Sequence, residues 1–537
     1  FIFSFLTNIL FYSYGHLLRF NDDSKNFNNY NTKSILGVIF LSFIALVLNF
    51  FFPLNKVVNS IIYVFGLSYL ITIKKFKFHK KEFNYLFLTS LITFLLIIYS
   101  NVNRPDAGLY HLPYISILNE NKLIVGLSNI HFRFGHVSIL QYTSAINNNF
   151  IFRELGIVIP LASIASFFII YFFNKVLKII KNKEFDFSNI FSLFIIIYIS
   201  YKINRYSSFG NDAVAHLTFF YLIALVLSKK NYDYFFLTLI GVFAFLNKST
   251  LVLALLIPAL IILKNFKFKD LKIVYSLSSI FLISWIIKNI LISGCFLYPT
   301  EISCIKYLGW TDIKEIKYES TSAEAWSKSW PKRDLKNIEM DDYIKNFNWL
   351  KSWLKDHGVY ISKIILPYFA LSLILVKYIS SRDSSNLKIE KNYLYSILLL
   401  VSLFGSFLFF LKFPLYRYGY SYLITFFILS CFYPFKFVKK SNLINISKIF
   451  FIICLVTIIS KQILRISNNY NNKSAWPNIY SFSKKNLVKS KKIKLSENFY
   501  VYQSEDVCMY SQSPCTNYRL KNLNLSKKLG YYLINIK

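Results

Sequence analysis

The sequence predicts an all-α polytopic membrane protein of about twelve to fourteen transmembrane helices, with an outer loop region and a small extracytoplasmic C-terminal tail. Three observations carry this. The 537 residues are 55% hydrophobic and their mean hydropathy is +0.43, too apolar for a soluble protein of this size. Apolar runs of about 17–25 residues, the length that crosses a bilayer as helix, recur along most of the chain. Short basic loops separate them in alternation, as cytoplasmic loops do.

Helices are expected at 1–18, 34–52, 57–73, 84–100, 151–173, 188–203, 212–228, 234–247, 249–264, 271–293, 358–379, 392–411, 419–435 and 443–464. The pair 234–247 and 249–264 is broken by Asn-Lys-Ser-Thr, where a re-entrant turn competes with two spans. The expected organisation is an N-terminal helical unit 1–83, a helical module 84–293 with a first outer loop 101–150, a large outer loop 294–357, C-terminal helices 358–464 and a tail 465–537. The tail alternates in stretches such as NFYVYQ, which reads as strands packed on the outer loop. The chain starts at Phe1 rather than Met, so the first helix is expected to be truncated.

The net charge of +36 does not point to nucleic acid. Phe, Ile, Lys, Asn and Tyr are inflated together, as in an AT-rich genome. The cations sit in KKFKFHKK (74–81), NKVLKIIKNK (174–183), SKK (228–230), KNFKFKDLK (264–272) and KFVKK (436–440). All fall on one face of the alternation, which is therefore cytoplasmic and meets lipid headgroups. Loops 101–150, 204–212, 294–357 and 412–420 and the tail fall on the other face. Four of the six cysteines lie there as two close pairs, Cys295 with Cys304 and Cys508 with Cys515, which suggests two disulfides in an oxidising compartment. Cys431 and Cys454 fall inside helices as apolar filler. No P-loop or Rossmann fingerprint is present, so no ATP site is offered to drive a pump.

The candidate chemistry gathers on the outer face. In RPDAGLYH, Asp106, Tyr110 and His111 stand where the chain leaves the helix 84–100. If 106–118 is helical, Asp106 and Tyr110 share a face at i, i+4. A plain N-cap after Pro105 accounts for the acid, but not for the adjoining histidine. In GLSNIHFRFGHVSILQY, His131, Arg133 and His136 stand among aromatics, a set suited to a phosphate-bearing or polyhydroxy substrate. In GNDAVAHLTFF, Asp212 opens a membrane helix with His216 one turn further in. Such a pair in lipid is costly unless partnered or functional; its plain alternative is a clamp between two helices. DAGLYH and DAVAH resemble each other, and the two acids are expected to share a pocket. Lys248 and Arg417 lie at the outer boundary, where snorkelling is the ordinary explanation. The functional alternative is a clamp on a lipid phosphate, with Tyr416, Tyr418 and Tyr420 as walls and Arg133 and Arg205 assisting. Trp310, Trp326, Trp330, Trp349 and Trp353 fall in the loop 294–357. Trp faces stack on sugars or anchor at the membrane interface, and anchoring suits Trp349 and Trp353 best.

These pieces resemble the GT-C superfamily of membrane glycosyltransferases. DAGLYH is similar to the acidic motif that GT-C enzymes carry shortly after a membrane helix. More closely, the chain resembles a little-characterised bacterial family of GT-C-like integral membrane proteins. The resemblance runs through DAGLYHLPYI, GLSNIHFRFG, NKST, SGCFLYPTEI, FPLYRYGYSYL and DVCMYSQSPCT, from about residue 84 to 520. It departs at Gln-Ser before the tail Pro-Cys, and at the Tyr residues flanking Arg417.

The resemblance implies a bacterial inner-membrane enzyme with its active site on the periplasmic face. It implies a polyprenyl-phosphate-linked sugar donor, a glycan or lipid acceptor, and inverting displacement at the anomeric carbon. Asp106 would be the general base and Asp212 would assist; His111 and His216 would orient the acids. Arg417, with Lys248, Arg133 and Arg205, would hold the leaving phosphate, and Tyr110 and His131 would complete the site. A divalent cation is an option that no ligand spacing compels. The alternatives are a surface-polysaccharide polymerase or ligase with a lipid-pyrophosphate donor and, third, a transporter or flippase. A transporter would carry its charges nearer the midplane, with repeat symmetry.

Overall fold

The computed structural model describes residues 1–18, 30–72, 80–100, 106–228, 233–264, 268–334, 337–383, 387–388, 393–470 and 490–536, apart from 506, 509–511, 519, 521–522 and, for side chains, 268–276. The basic loops expected at 74–81 and 228–230 lie largely outside the described residues, as do part of 264–272 and of the tail.

The chain is predominantly α-helical. Among the described residues, six helices are long and apolar enough to cross a membrane: Tyr30–Phe51, Arg153–Asn182, Phe187–Ser207, Leu350–Ile379, Tyr393–Lys412 and Lys440–Tyr470. Shorter apolar helices stand at Ile2–Leu18, Lys56–Thr72, Asp212–Val226, Tyr234–Asn247, Ser249–Lys264 and Leu277–Ser293. Helix occurs at every predicted position, but the ends differ. The expected 443–464 runs as Lys440–Tyr470, and 419–435 as Tyr416–Phe432, so Arg417 sits in a helix's first turn. The expected 358–379 is continuous with Leu350–Tyr360 through a wide π turn at Ile361–Ile365.

Local chemistry fixes several starts. Asp186 and Asp233 accept the backbone N–H three residues on, at 2.7 and 2.8 Å, capping Phe187–Lys202 and Tyr234–Asn247. Pro160 follows the 3₁₀ turn Arg153–Val158 and Pro367 the π turn Ile361–Ile365, each where the helical hydrogen-bond register changes. The first two helices touch backbone to backbone: a Cβ on Gly37 would stand 1.7 Å from the Phe11 carbonyl oxygen, so only a small residue permits this crossing.

Ile159–Leu177, Phe187–Lys202, Asp212–Val226 and Tyr234–Asn247 are buried almost all round and form the centre. Tyr393–Lys412 and Lys440–Tyr470 flank them and expose apolar side chains such as Leu400, Phe407, Ile452 and Val456. On the basic-loop side, Phe437–Val438 pairs antiparallel with Ser380–Ser381 and Leu387–Lys388.

The tail forms strands, and they dock on the first outer loop. Ser490–Ser496 pairs antiparallel with Phe499–Ser504, which takes Cys515–Thr516 as a parallel neighbour. Leu523–Lys528 and Tyr531–Ile536 make a second hairpin. Its last strand bridges Val125: the Val125 N–H donates to the Tyr532 carbonyl at 2.9 Å, and the Ile534 N–H to the Val125 carbonyl at 3.0 Å. Cys295 is joined to Cys304, and Cys508 to Cys515.

Trp349 and Trp353 correct an expectation. They are buried, 1% and 9% exposed, and pack edge to face with each other under Tyr343 and Trp330. Trp353 donates its indole N–H to the Pro414 carbonyl at 2.8 Å. They form the core of the outer loop rather than a membrane-interface belt.

Candidate active site

The predicted acids meet in one place. A cavity of about 770 Å³ is lined by Asp106, Tyr110, His111, Arg133, Arg205, Asp212, Lys248 and Arg417, all singled out by sequence. Its floor comes from helix starts and breaks, where backbone and side-chain polar groups are exposed together. Asp212 opens its helix. Lys248 sits in extended backbone between Tyr234–Asn247 and the 3₁₀ turn Ser249–Leu255. Arg417 is the second residue of Tyr416–Phe432.

Asp106 begins a π turn, Ala107–His111, that leads into the α-helix Leu112–Glu120. Its side chain caps no backbone N–H. Instead the carboxylate accepts from Arg417 Nη1 at 2.8 Å, so the plain N-cap does not describe it. Asp212 takes two cations: Arg205 Nη2 at 3.1 Å, and Lys248 at its other oxygen. The Lys248 ammonium also donates to the Arg417 backbone carbonyl at 2.9 Å, tying the two ion pairs together. Among the described residues Arg417 Nε is buried with no hydrogen-bond partner. Arg133 lies over the rings of Phe132 and Tyr110, at 4.8 and 5.6 Å, and has no carboxylate partner among the described residues.

A family model described as a domain of unknown function, DUF8201, matches residues 1–424. The chain belongs to the DUF8201 family. No curated protein and no solved structure matches it. The matched region holds every cavity residue named above and stops short of the last helix and the tail.

Not every predicted residue of this DUF8201 chain reaches the cavity. His216 does not pair with Asp212; its Nδ1 meets Ser421 Oγ at 2.7 Å and its Nε2 donates to the Arg417 carbonyl at 2.9 Å. It supports Arg417 from below. His131 is buried; its Nδ1 accepts from the Arg133 N–H at 3.0 Å and its Nε2 meets Asn517 of the tail at 3.1 Å. Tyr416 stacks on Tyr420, centroids 5.4 Å apart, and its hydroxyl meets Tyr198 at 3.3 Å, away from the cavity. Cys508 and Cys515 line a separate cavity of about 500 Å³ between the tail and the first outer loop. His111 hydrogen-bonds Gln141 rather than an acid.

Sequence reasoning named Trp326 only as one of five loop tryptophans and overlooked the rest of this wall. Tyr298, Trp326 and Lys412 bring the outer loop and the Tyr393–Lys412 helix to the cavity, and Asn247 and Asn289 add amides. Leu246, Val252, Leu253, Leu408 and Phe409 form an apolar side. Five tryptophans in one loop were the available signal, but nothing local separates Trp326, 54% exposed, from the half-buried Trp310 and Trp330 or the buried Trp349 and Trp353.

Burial holds the loop histidines neutral. His111 and His131 are pushed down to about 4 and His136 to about 3, first by desolvation, with the nearby Arg133 cation adding to each. Among the described residues no cluster of three or more His, Cys, Asp or Glu could hold a metal ion.

Proposed function

We propose that the protein is a membrane glycosyltransferase of the GT-C type. It moves a sugar from a polyprenyl-phosphate-linked donor to a glycan or lipid acceptor. One observation carries the reading: two acids far apart in the chain share a cavity with Arg205, Lys248 and Arg417, beside an apolar side and an aromatic one. That set answers each part of such a donor. Cations receive the phosphate, the side formed by Val252, Leu253, Leu408 and Phe409 receives the prenyl chain, and Tyr298 and Trp326 offer faces to the sugar.

Asp106 pairs with Arg417, and Asp212 with Arg205 and Lys248. An incoming phosphate competes for Arg417 and so releases Asp106. The acceptor hydroxyl then attacks the anomeric carbon, Asp106 takes its proton, and the carbon–oxygen bond to phosphate breaks with its electron pair leaving on polyprenyl phosphate. Twelve to fourteen spans, a bacterial inner-membrane location and a periplasmic active site belong to the same reading, and the two disulfides suit that side. Transfer of radiolabelled sugar from polyprenyl-phosphate donors, in membranes holding the native protein or Asp106→Asn, tests it. The variant should lose about 100-fold or more. Equal transfer by both would remove Asp106 as the base.

A second reading, a polymerase or ligase with a lipid-pyrophosphate donor, draws on the surplus of cations. Among the described residues Arg133 has no acid partner, and Lys412 pairs outside the cavity lining, with Glu324. Transfer from pyrophosphate-linked donors alone would favour it.

A further inference from the structure

The helix Ile139–Ile146 opens on a cap that fixes an amide. The Ser138 backbone N–H donates to Gln141 Oε1 at 3.3 Å. That end of the amide is therefore the acceptor, and the other end can only donate. It meets His111 Nδ1 at 3.2 Å. A neutral imidazole has one donor and one acceptor nitrogen, so Nδ1 carries the lone pair and Nε2 the proton. The reverse arrangement would turn the amide NH2 against the Ser138 N–H. Gln141 is 2% exposed and Ser138 4%, and a donor facing a donor at that depth is strongly disfavoured.

The ring is also held in place, against Tyr110 at 4.3 Å and Phe209 at 6.2 Å between centroids. His111 lines the cavity, where the charged groups acting on it are Asp106, Asp212, Arg417 and Arg133. Two acids and two cations bear on it together.

We propose that His111 serves the cavity as a neutral hydrogen-bond donor through Nε2, and that Gln141 is the positioning residue that sets this tautomer. Its ligand is an oxygen acceptor. Under the glycosyltransferase reading, on which only the identity of that oxygen rests, it is a phosphate oxygen of the donor. A neutral N–H stabilises charge developing there without giving up its proton. His111 then neither orients a carboxylate nor accepts the acceptor's proton.

The test is nitrogen NMR of histidine-labelled protein at pH 7.5, with the His111 signals identified by their loss in His111→Gln. Native His111 should show an unprotonated Nδ1 and a protonated Nε2. Gln141→Glu keeps an acceptor for the Ser138 N–H but turns an acceptor toward the ring, so Nδ1 should become protonated. A protonated Nδ1 in the native protein, or an Nδ1 unchanged in Gln141→Glu, would overturn the proposal. The native spectrum decides even if the variant does not fold. The expected spectrum without any sugar transfer would sink the glycosyltransferase reading and leave this one standing.

Discussion

Arg417 works from both ends. Its guanidinium holds Asp106, while its backbone carbonyl takes the ammonium of Lys248 and the Nε2–H of His216. A buried histidine that looks functional in the sequence is thus a support beneath Arg417. At this scale the molecule should respond to acid through His111, His131 and His136. Each binds its proton near pH 6.5 when unfolded and only near pH 4 or below when folded. The unfolded chain therefore takes up more protons as pH falls through this window, so stability is full above about 6.5 and declines below it. The thermal midpoint in detergent should drop between pH 6.5 and 4, and His136→Gln should flatten that slope. An unchanged slope would place His136 in contact with solvent. The acids and cations were legible because charge at a membrane boundary is rare enough to stand out. That His111 and His136 line the cavity while His131 and His216 do not was not legible, since partners such as Gln141, Ser421 and Asn517 place these rings and lie up to 386 positions away.

The end of the Lys440–Tyr470 helix braces both acid-bearing segments. Arg465 donates to the carbonyls of Leu95, Ile98 and Tyr99 at 2.6–2.8 Å, closing the helix Lys80–Ile97 that leads toward Asp106. One turn back, Gln462 donates to Asn204 at 3.0 Å, next to the Arg205 that holds Asp212. In the sequence, Arg465 reads only as a basic end to an apolar run. The length of its apolar run found this helix but not its task, because helix termini are satisfied by residues from anywhere in the chain. Arg465→Met keeps the apolar stem and removes the donors, and should cost on the order of 3 kcal/mol. Hydrogen exchange should rise at residues 95–100 before it rises in the central helices. Uniform protection would show that the brace is redundant.

Across the molecule, the last helix and the tail lie beyond the family match, yet they hold the parts that carry the site. The Cys508 N–H donates to the Gly108 carbonyl inside the π turn at 3.0 Å, Asn517 holds His131, and the final strand bridges Val125. Gly126 permits that bridge: its φ is +73°, and a Cβ there would stand 2.2 Å from the Ile534 carbonyl oxygen. Gly126→Ala should detach the Tyr531–Ile536 strand, seen as new protease cleavage near residue 530 and faster exchange at Val125. An intact bridge would mean that the loop can give way. That the tail forms strands was readable from alternation in NFYVYQ; that Tyr531–Ile536 makes the bridge to the loop and Cys508 meets Gly108 was not, because main-chain pairing leaves no mark on residue type.

The π turn at Ala107–His111 closes through the Leu112 N–H and the Ala107 carbonyl, one residue more per turn than an α-helix spends. In genetic terms it is a helix carrying a single-codon insertion. Deleting one residue within it would let the segment relax to α, and everything before the deletion would rotate by about 100° relative to Leu112–Glu120. Asp106 would swing away from Arg417 while the hydrophobic core stayed matched. A family member shorter by one residue at this place would therefore keep the architecture and lose the acid from the cavity, which makes the length of this turn, as much as the letter at 106, a marker for sorting members that keep the Asp106–Arg417 pair from those that lack it.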